Sequence, residues 1–314
     1  MNTRIIKELI KVVTMTIILS FVIDKIVFHT LNWISDKVYT GQSIGKLNQF
    51  LQIKDSKEVL VFGNSRANHH IDVKILGKSA YNMGVDGTGI AYSSALLNTL
   101  EKGTKQLIIV HIDTKNFFDN SYDGSDIKGL KIKYNRNEKI TSFLNSSGHI
   151  SIIQSFYKSL NYNGKVIGII KNFYKPNYDY KTYNGYDPLF VNESDEKARD
   201  FILKIEDDHN CERKYQVNEI AMDYLKKIKV ISESSKKQYL FITSPIYNDK
   251  CKKDNDILKE IMKQQNLQYI DYTDFFKGNN NNQFWKDKTH MTQSGAEKFT
   301  NELLKQVQFA SKTN

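Results

Sequence analysis

The sequence predicts an α/β protein: a mostly parallel β-sheet with helices on both faces in three layers, carrying an N-terminal membrane helix and a long insertion. Two observations lead there. Short apolar runs, Val59–Phe62, Leu107–Ile112 and Tyr239–Thr243, are separated by segments of helical periodicity. A strand buried on both faces reads as a continuous apolar run, and strand–helix alternation builds a parallel sheet. The length of 314 residues, with 40% hydrophobic and 25% charged residues, allows one large core or two modest ones.

The elements follow in order. Residues 1–34 are expected to be a transmembrane anchor. Arg4, Lys7 and Lys11 precede an apolar run from Val12 to Ile23, which Asp24-Lys25 interrupts and Ile26 to Ile34 resumes. A helix over 12–34 is about 34 Å long, enough for a bilayer core, and sliding it to 5–23 moves the Asp24-Lys25 pair to the far interface. The basic flank then stays cytoplasmic and the remainder lies outside the cytoplasm. An amphipathic helix packed on the main domain is the alternative. Residues 35–56 read as a polar linker, and 57–314 as the α/β domain. After Val59–Phe62 come a helix over Ile90–Leu100, with Ala91, Ala95 and Leu96 on one face, and the strand Leu107–Ile112. Residues 119–215 break the rhythm and read as an insertion, with a helix over Ile150–Ile170. Its tyrosine-rich stretch Tyr178-Asp-Tyr-Lys-Thr-Tyr-Asn-Gly-Tyr186 suits either carbohydrate stacking or ordinary packing. The rhythm returns with a helix from Val217 to about Glu233, strand Tyr239–Thr243, a helix near Asp254–Gln264, strand Tyr269–Tyr272, the loop Gly278–Asn282, expected to be flexible, and a last helix from about Gln293.

The net charge of +10, from 45 Lys+Arg against 35 Asp+Glu, suits anionic surfaces. The lysines look scattered along the chain, and no zinc-ligand set or RNA-binding motif is present, so nucleic acid is not an expected partner. No metal site or cofactor is expected: Cys211 and Cys251 are the only cysteines, too few for a metal set, and the sequence leaves open whether they pair. No Walker-type phosphate loop occurs.

Two stretches carry chemistry. Gly63-Asn64-Ser65 follows the first strand, and Asp287-Lys-Thr-His290 lies ahead of the last helix. A serine hydroxyl becomes a nucleophile when an imidazole takes its proton and a carboxylate fixes the imidazole's tautomer, so Ser65, His290 and Asp287 are the candidate catalytic residues. An α/β-hydrolase elbow is disfavoured, because Ala67 stands where its second glycine belongs and the acid lies only three residues from the histidine.

In order and placement these blocks resemble the SGNH (GDSL-type) serine hydrolase superfamily, over roughly residues 57–118 and 238–308. The resemblance implies a flavodoxin-like three-layer fold and a Ser65–His290–Asp287 triad. From Tyr81-Asn-Met-Gly-Val-Asp-Gly-Thr-Gly89 it implies an oxyanion donor at Gly87, beside the backbone of Ser65. Asn116 is the candidate for the third donor, although Asp113-Thr-Lys-Asn116 departs from the family's Gly-x-Asn-Asp spacing, and Asn64 stands where the family usually has Asp. What it implies for function is a serine esterase or O-acyltransferase acting on an acylated carbohydrate or small ester, here an extracytoplasmic glycan. The alternatives are a catalytically inactive envelope protein that binds glycan, and an intracellular lipase-like esterase with an amphipathic N-terminal helix.

Overall fold

The computed structural model describes residues 3–176, 180–206, 211, 215–279 and 281–312. Five strands form one sheet: β1 (Val59–Phe62), β2 (Ala80–Asn82), β3 (Leu107–His111), β4 (Gln238–Thr243) and β5 (Tyr269–Asp271). All neighbouring strands pair in parallel, in the order β2-β1-β3-β4-β5. The registers align Val61 with Ile109, and Val110 with Phe241. Leu60, Val61, Phe62, Ile108, Ile109, Val110, Phe241 and Ile242 are buried, which explains why these strands read as unbroken apolar runs. The chain leaves β1 toward β2 on one side and returns to β3 on the other. That reversal opens a crevice at the carboxyl ends of β1 and β3, where ligands bind in open parallel sheets.

The expected helices lie close to their predicted ends, at Ile90–Leu97, Glu219–Glu233, Lys253–Gln264 and Gln293–Lys312. Two expectations change, and one open question is answered. Residues 35–56 are not a bare linker: they hold a π-turn at Gly41–Gly45 and the helix Lys46–Ile53, with Leu47 and Phe50 fully buried. The helix over Ile150–Ile170 is broken into Ile152–Phe156, a 3₁₀ turn Lys158–Tyr162 and Val166–Tyr174. Gly164, at φ +74°, supplies the left-handed step between the last two. Cys211 and Cys251 form a disulfide.

The chain divides into two compact units. One comprises residues 1–48 and 130–178, the other 49–129 and 179–314. The first unit is helical. Its N-terminal helix runs unbroken over Thr3–Ser35, and the buried residues Asp24, Phe28, Leu31 and Ser35 mark its packed side. Phe28 meets Tyr162 ring to ring, Tyr162 donates to Asn32, and Arg136 pairs with Asp36. Among the described residues no helix is long and apolar enough to cross a membrane, so the expected transmembrane anchor is not supported. The reason lies in the charges: Lys7, Glu8 and Lys11 occupy one end of the 5–23 stretch, and Asp24-Lys25 caps the other.

Candidate active site

The site belongs to the α/β unit and begins where β1 ends. Gly63 turns the chain at φ +147°, and a Cβ there would stand 2.8 Å from the Cβ atoms of both Ala67 and His111, so only glycine fits. Asn64 then caps the Ser65–His70 helix by accepting from the Arg66 N–H at 3.0 Å. Its amide donates to Asp113 Oδ2 at 2.6 Å, which ties the β1 turn to the end of β3. Asn64 therefore has a structural task here, capping the helix and holding Asp113.

Ser65 Oγ lies 2.9 Å from His290 Nε2. On the far side of the ring, His290 Nδ1 is 3.0 Å from Asp287 Oδ2 and 3.1 Å from Oδ1. The three predicted residues form one hydrogen-bonded row across 225 residues of sequence. Asp287 Oδ1 also accepts from the backbone N–H groups of Thr289 (2.8 Å) and His290 (2.9 Å) and from the Thr289 hydroxyl (2.9 Å). Burial alone would raise the Asp287 carboxyl, but the hydrogen bonds from His290 and Thr289 outweigh it and hold the group well below the usual carboxylate range.

The loop carrying Asp287 and His290 is pinned, which corrects the expectation of a flexible one; of that stretch, Asn280 lies outside the described residues. Trp285 and Met291 pair as an antiparallel bridge, and both side chains are buried. The Trp285 ring packs edge-on against Tyr247 and Phe276, at centroid distances of 5.6 Å in both cases. Lys286 N–H donates to His290 O, and Thr292 N–H to Phe284 O, closing a tight hairpin with the row at its tip.

Three histidines the sequence reading passed over support this hairpin. The Met291 N–H donates to His70 Nε2 at 3.1 Å, which leaves the proton on Nδ1 to be donated to Ser244 Oγ at 2.8 Å. Ser244 Oγ in turn lies 3.0 Å from His111 Nε2. Burial, aided by the nearby Arg66 guanidinium, pushes His70 well below the ordinary imidazole value and His111 down to about 3. Both are neutral, and they brace the hairpin against the strand ends. His69 differs. Burial works against its charged form, but the Asp86 carboxylate 3.1 Å from Nε2 and the Asp187 carbonyl 2.6 Å from Nδ1 raise it above the ordinary value. Its ring meets that of His290 edge-on at 5.7 Å. The run Asn68-His69-His70, beginning three residues after the serine, was the available signal.

Of the candidate oxyanion donors, Gly87 sits at φ +71° with open space where a Cβ would be. Its loop is fastened beside the β1 turn by Val85 N–H donating to Gly63 O at 3.0 Å. Asn116 lies in the short helix Thr114–Phe118 and lines a small pocket with Asn64, Thr88, Gly89 and Asp113. Asp113, a second possible acid from sequence, is committed to Asn64, to the Lys115 N–H and to the Arg66 guanidinium. The insertion tyrosines do not form a described stacking platform. Tyr186 is buried in the core, Tyr183 packs against it at 6.4 Å, and Tyr178 and the Tyr180 side chain lie outside the described residues. Among the described residues no cluster of His, Cys, Asp and Glu could hold a metal ion.

No family model matches the chain, and no curated protein matches it. Among solved structures it is similar to "The structure of a putative platelet activating factor from Streptococcus pneumonia", with 11% identity, 82% of this chain and 92% of that chain covered, and a TM-score of 0.35. A likeness of that size establishes neither a shared fold nor a shared activity.

Proposed function

We propose that this protein is a serine ester hydrolase or O-acyltransferase of the SGNH type. One observation carries the reading: the continuous row from Ser65 Oγ through His290 to Asp287, with both contacts at hydrogen-bond distance. In the proposed reaction His290 Nε2 takes the Ser65 proton as Oγ attacks an ester carbonyl. The imidazolium then returns that proton to the leaving alcohol oxygen, which leaves an acyl-serine. Asp287 keeps the Nδ1 proton in place, so Nε2 is free to accept. The backbone N–H groups of Ser65 and Gly87, with Asn116 as third donor, receive the negative charge that develops on the carbonyl oxygen. Water completes hydrolysis; a sugar hydroxyl completes transfer.

An acylated extracytoplasmic glycan is the proposed substrate. The Cys211–Cys251 disulfide supports the compartment, since such bonds persist in oxidising surroundings. The non-catalytic, glycan-binding reading has no use for so complete a row. The test is labelling of the full chain by a fluorophosphonate, with Ser65→Ala as control. Labelling of the parent and not the variant is expected; an unlabelled parent that is folded and oxidised ends the proposal.

A further inference from the structure

The excess positive charge of the chain is not spread over it. Residues 1–48 and 130–178 carry 14 Lys and Arg against 4 Asp and Glu, a net +10 that equals the charge of the whole protein. The α/β unit holds 31 of each sign and is neutral. Basic residues are equally dense in both units; the helical unit is short of acids, with 4 of the 35, and so the surplus positive charge collects there.

That same unit exposes its apolar side chains. In the Thr3–Ser35 helix, Val12, Val13, Met15, Ile17, Ile18 and Leu19 are all at least half exposed, with Met15 at 64%. At about 100° per residue these six point to every side of the helix instead of forming one stripe. A second protein copy covers a stripe; a helix that is apolar all round needs an apolar medium.

The pair that interrupts the apolar run is withdrawn from it. Asp24, 5% exposed, accepts from the backbone N–H groups of Lys158 (3.0 Å) and Ser159 (2.9 Å) and from Lys25 Nζ (2.9 Å). Lys25 Nζ also donates to the Phe156 carbonyl at 2.8 Å. The segment that supplies this clasp is itself apolar and exposed: Ile152 is 88% exposed, Ile153 63%, and Phe156 packs on Phe21 at 4.9 Å.

We propose that the helical unit seats in the apolar layer of an anionic lipid membrane, through residues 12–23 and the adjoining Ile152–Phe156 helix. Residues 12–23 are about 18 Å long, enough to pass the headgroups but short of the ~30 Å core, so the segment enters without crossing. The clasp buries the Asp24 carboxylate and ties the partly exposed Lys25 ammonium to it and to a backbone carbonyl, and the surplus basic side chains meet the lipid phosphates, each worth about 1 kcal/mol near such a surface. The inference is independent of the esterase reading.

The test uses the full chain, transferred from mild detergent to phosphatidylcholine vesicles with or without phosphatidylglycerol. Ile18→Cys and Ile153→Cys carry an environment-sensitive fluorophore, and Lys226→Cys, on the neutral unit, is the control. Expected is flotation with the phosphatidylglycerol vesicles, with labels at 18 and 153 brightened and shielded from an aqueous quencher and the label at 226 unchanged. Ile153→Glu should weaken partitioning at least tenfold while leaving the melting temperature within error. Three results overturn the proposal: protein left in the aqueous phase, labels shielded in a lipid-free oligomer, or capture of a random oligonucleotide with the vesicles left unbound.

Discussion

Replacing Asp287 by asparagine keeps the shape of the row and removes its charge. The amide oxygen can still accept from the Thr289 and His290 N–H groups, so the hairpin should hold. The amide NH₂ then faces His290 Nδ1, where the carboxylate stood at 3.0 Å, and favours the tautomer whose Nε2 donates to Ser65 instead of accepting from it. The lost attraction between carboxylate and imidazolium at that distance is about 5.5 kcal/mol at a near-surface dielectric of 20 and ~1.4 kcal/mol in water. Because the Asp287 side chain is 38% exposed, solvent screening places the effect in the lower part of that range, roughly 1.4–3 kcal/mol. The barrier should rise by that amount, and kcat for p-nitrophenyl acetate should fall about ten- to hundredfold with KM little changed. The pinning of the loop by Trp285 and Met291 argues against rescue by movement, since no slack is left for His290 to find another acid. Circular dichroism should match the parent. A variant that is folded and retains kcat within about twofold, a barrier change under ~0.5 kcal/mol, would falsify the assigned role of Asp287.

Other outcomes follow from the same geometry. Asn116→Ala should lower kcat by about tenfold or more, as expected for one oxyanion donor in a partly open site, with the melting temperature held; unchanged turnover removes Asn116 from the reaction. His70 and His111 are held neutral, so the unfolded chain takes up protons below about pH 6.5 while the native site does not. Stability should therefore fall with falling pH between about 6.5 and 3, by up to ~1.4 kcal/mol per pH unit for each histidine. His69, whose value is raised, contributes fully below about pH 6.5, within that window, and loses its contribution as pH rises through its folded-state value. A melting temperature flat from pH 7 to pH 5 refutes the neutral assignment. Cys251→Ser opens a cross-link across a separation of 40 residues, worth at most about 4 kcal/mol in the chain-entropy account, and thermal unfolding should drop by several degrees with the active row unaffected.

What the sequence disclosed depends on where each signal resides. The central residues of β1, β3 and β4 are buried on both faces, so each strand carries a short unbroken apolar run, Leu60–Phe62, Ile108–Val110 and Leu240–Ile242. Strand β2 is only Ala80-Tyr81-Asn82, too short for any run; its asparagine serves the fold by donating to the Ala67 and Ile71 carbonyls. The partition into a neutral and a basic unit was invisible for a different reason. It requires residues 1–48 to fold with 130–178, and no local period reports a pairing across that gap.

The site was legible in its reacting groups and not in their support, and the reason is chemical. Ser65, Asp287 and His290 are chosen by the reaction, which admits few side chains at each position and brings short motifs with it. Their support is chosen by geometry, which admits many solutions. His70 holds the Met291 N–H, Trp285 fills a slot between Tyr247 and Phe276, and Ser244 links two neutral imidazoles. In sequence Trp285 and Ser244 are ordinary residues, and His70 shows only as half of a His69-His70 pair that belongs to no motif. Yet these residues fix the hairpin, and the hairpin fixes the 2.9 Å contact between His290 and Ser65. Proton transfer requires that contact, so the supporting histidines determine whether the serine has a base at all. His70→Phe tests this: it fills the volume, removes the acceptor for the Met291 N–H, and leaves the row untouched by design. A loss of fluorophosphonate labelling rate at least tenfold, in a protein that still melts cooperatively, is the expected result. An unchanged rate would assign the placement of His290 to Trp285 and Met291 alone.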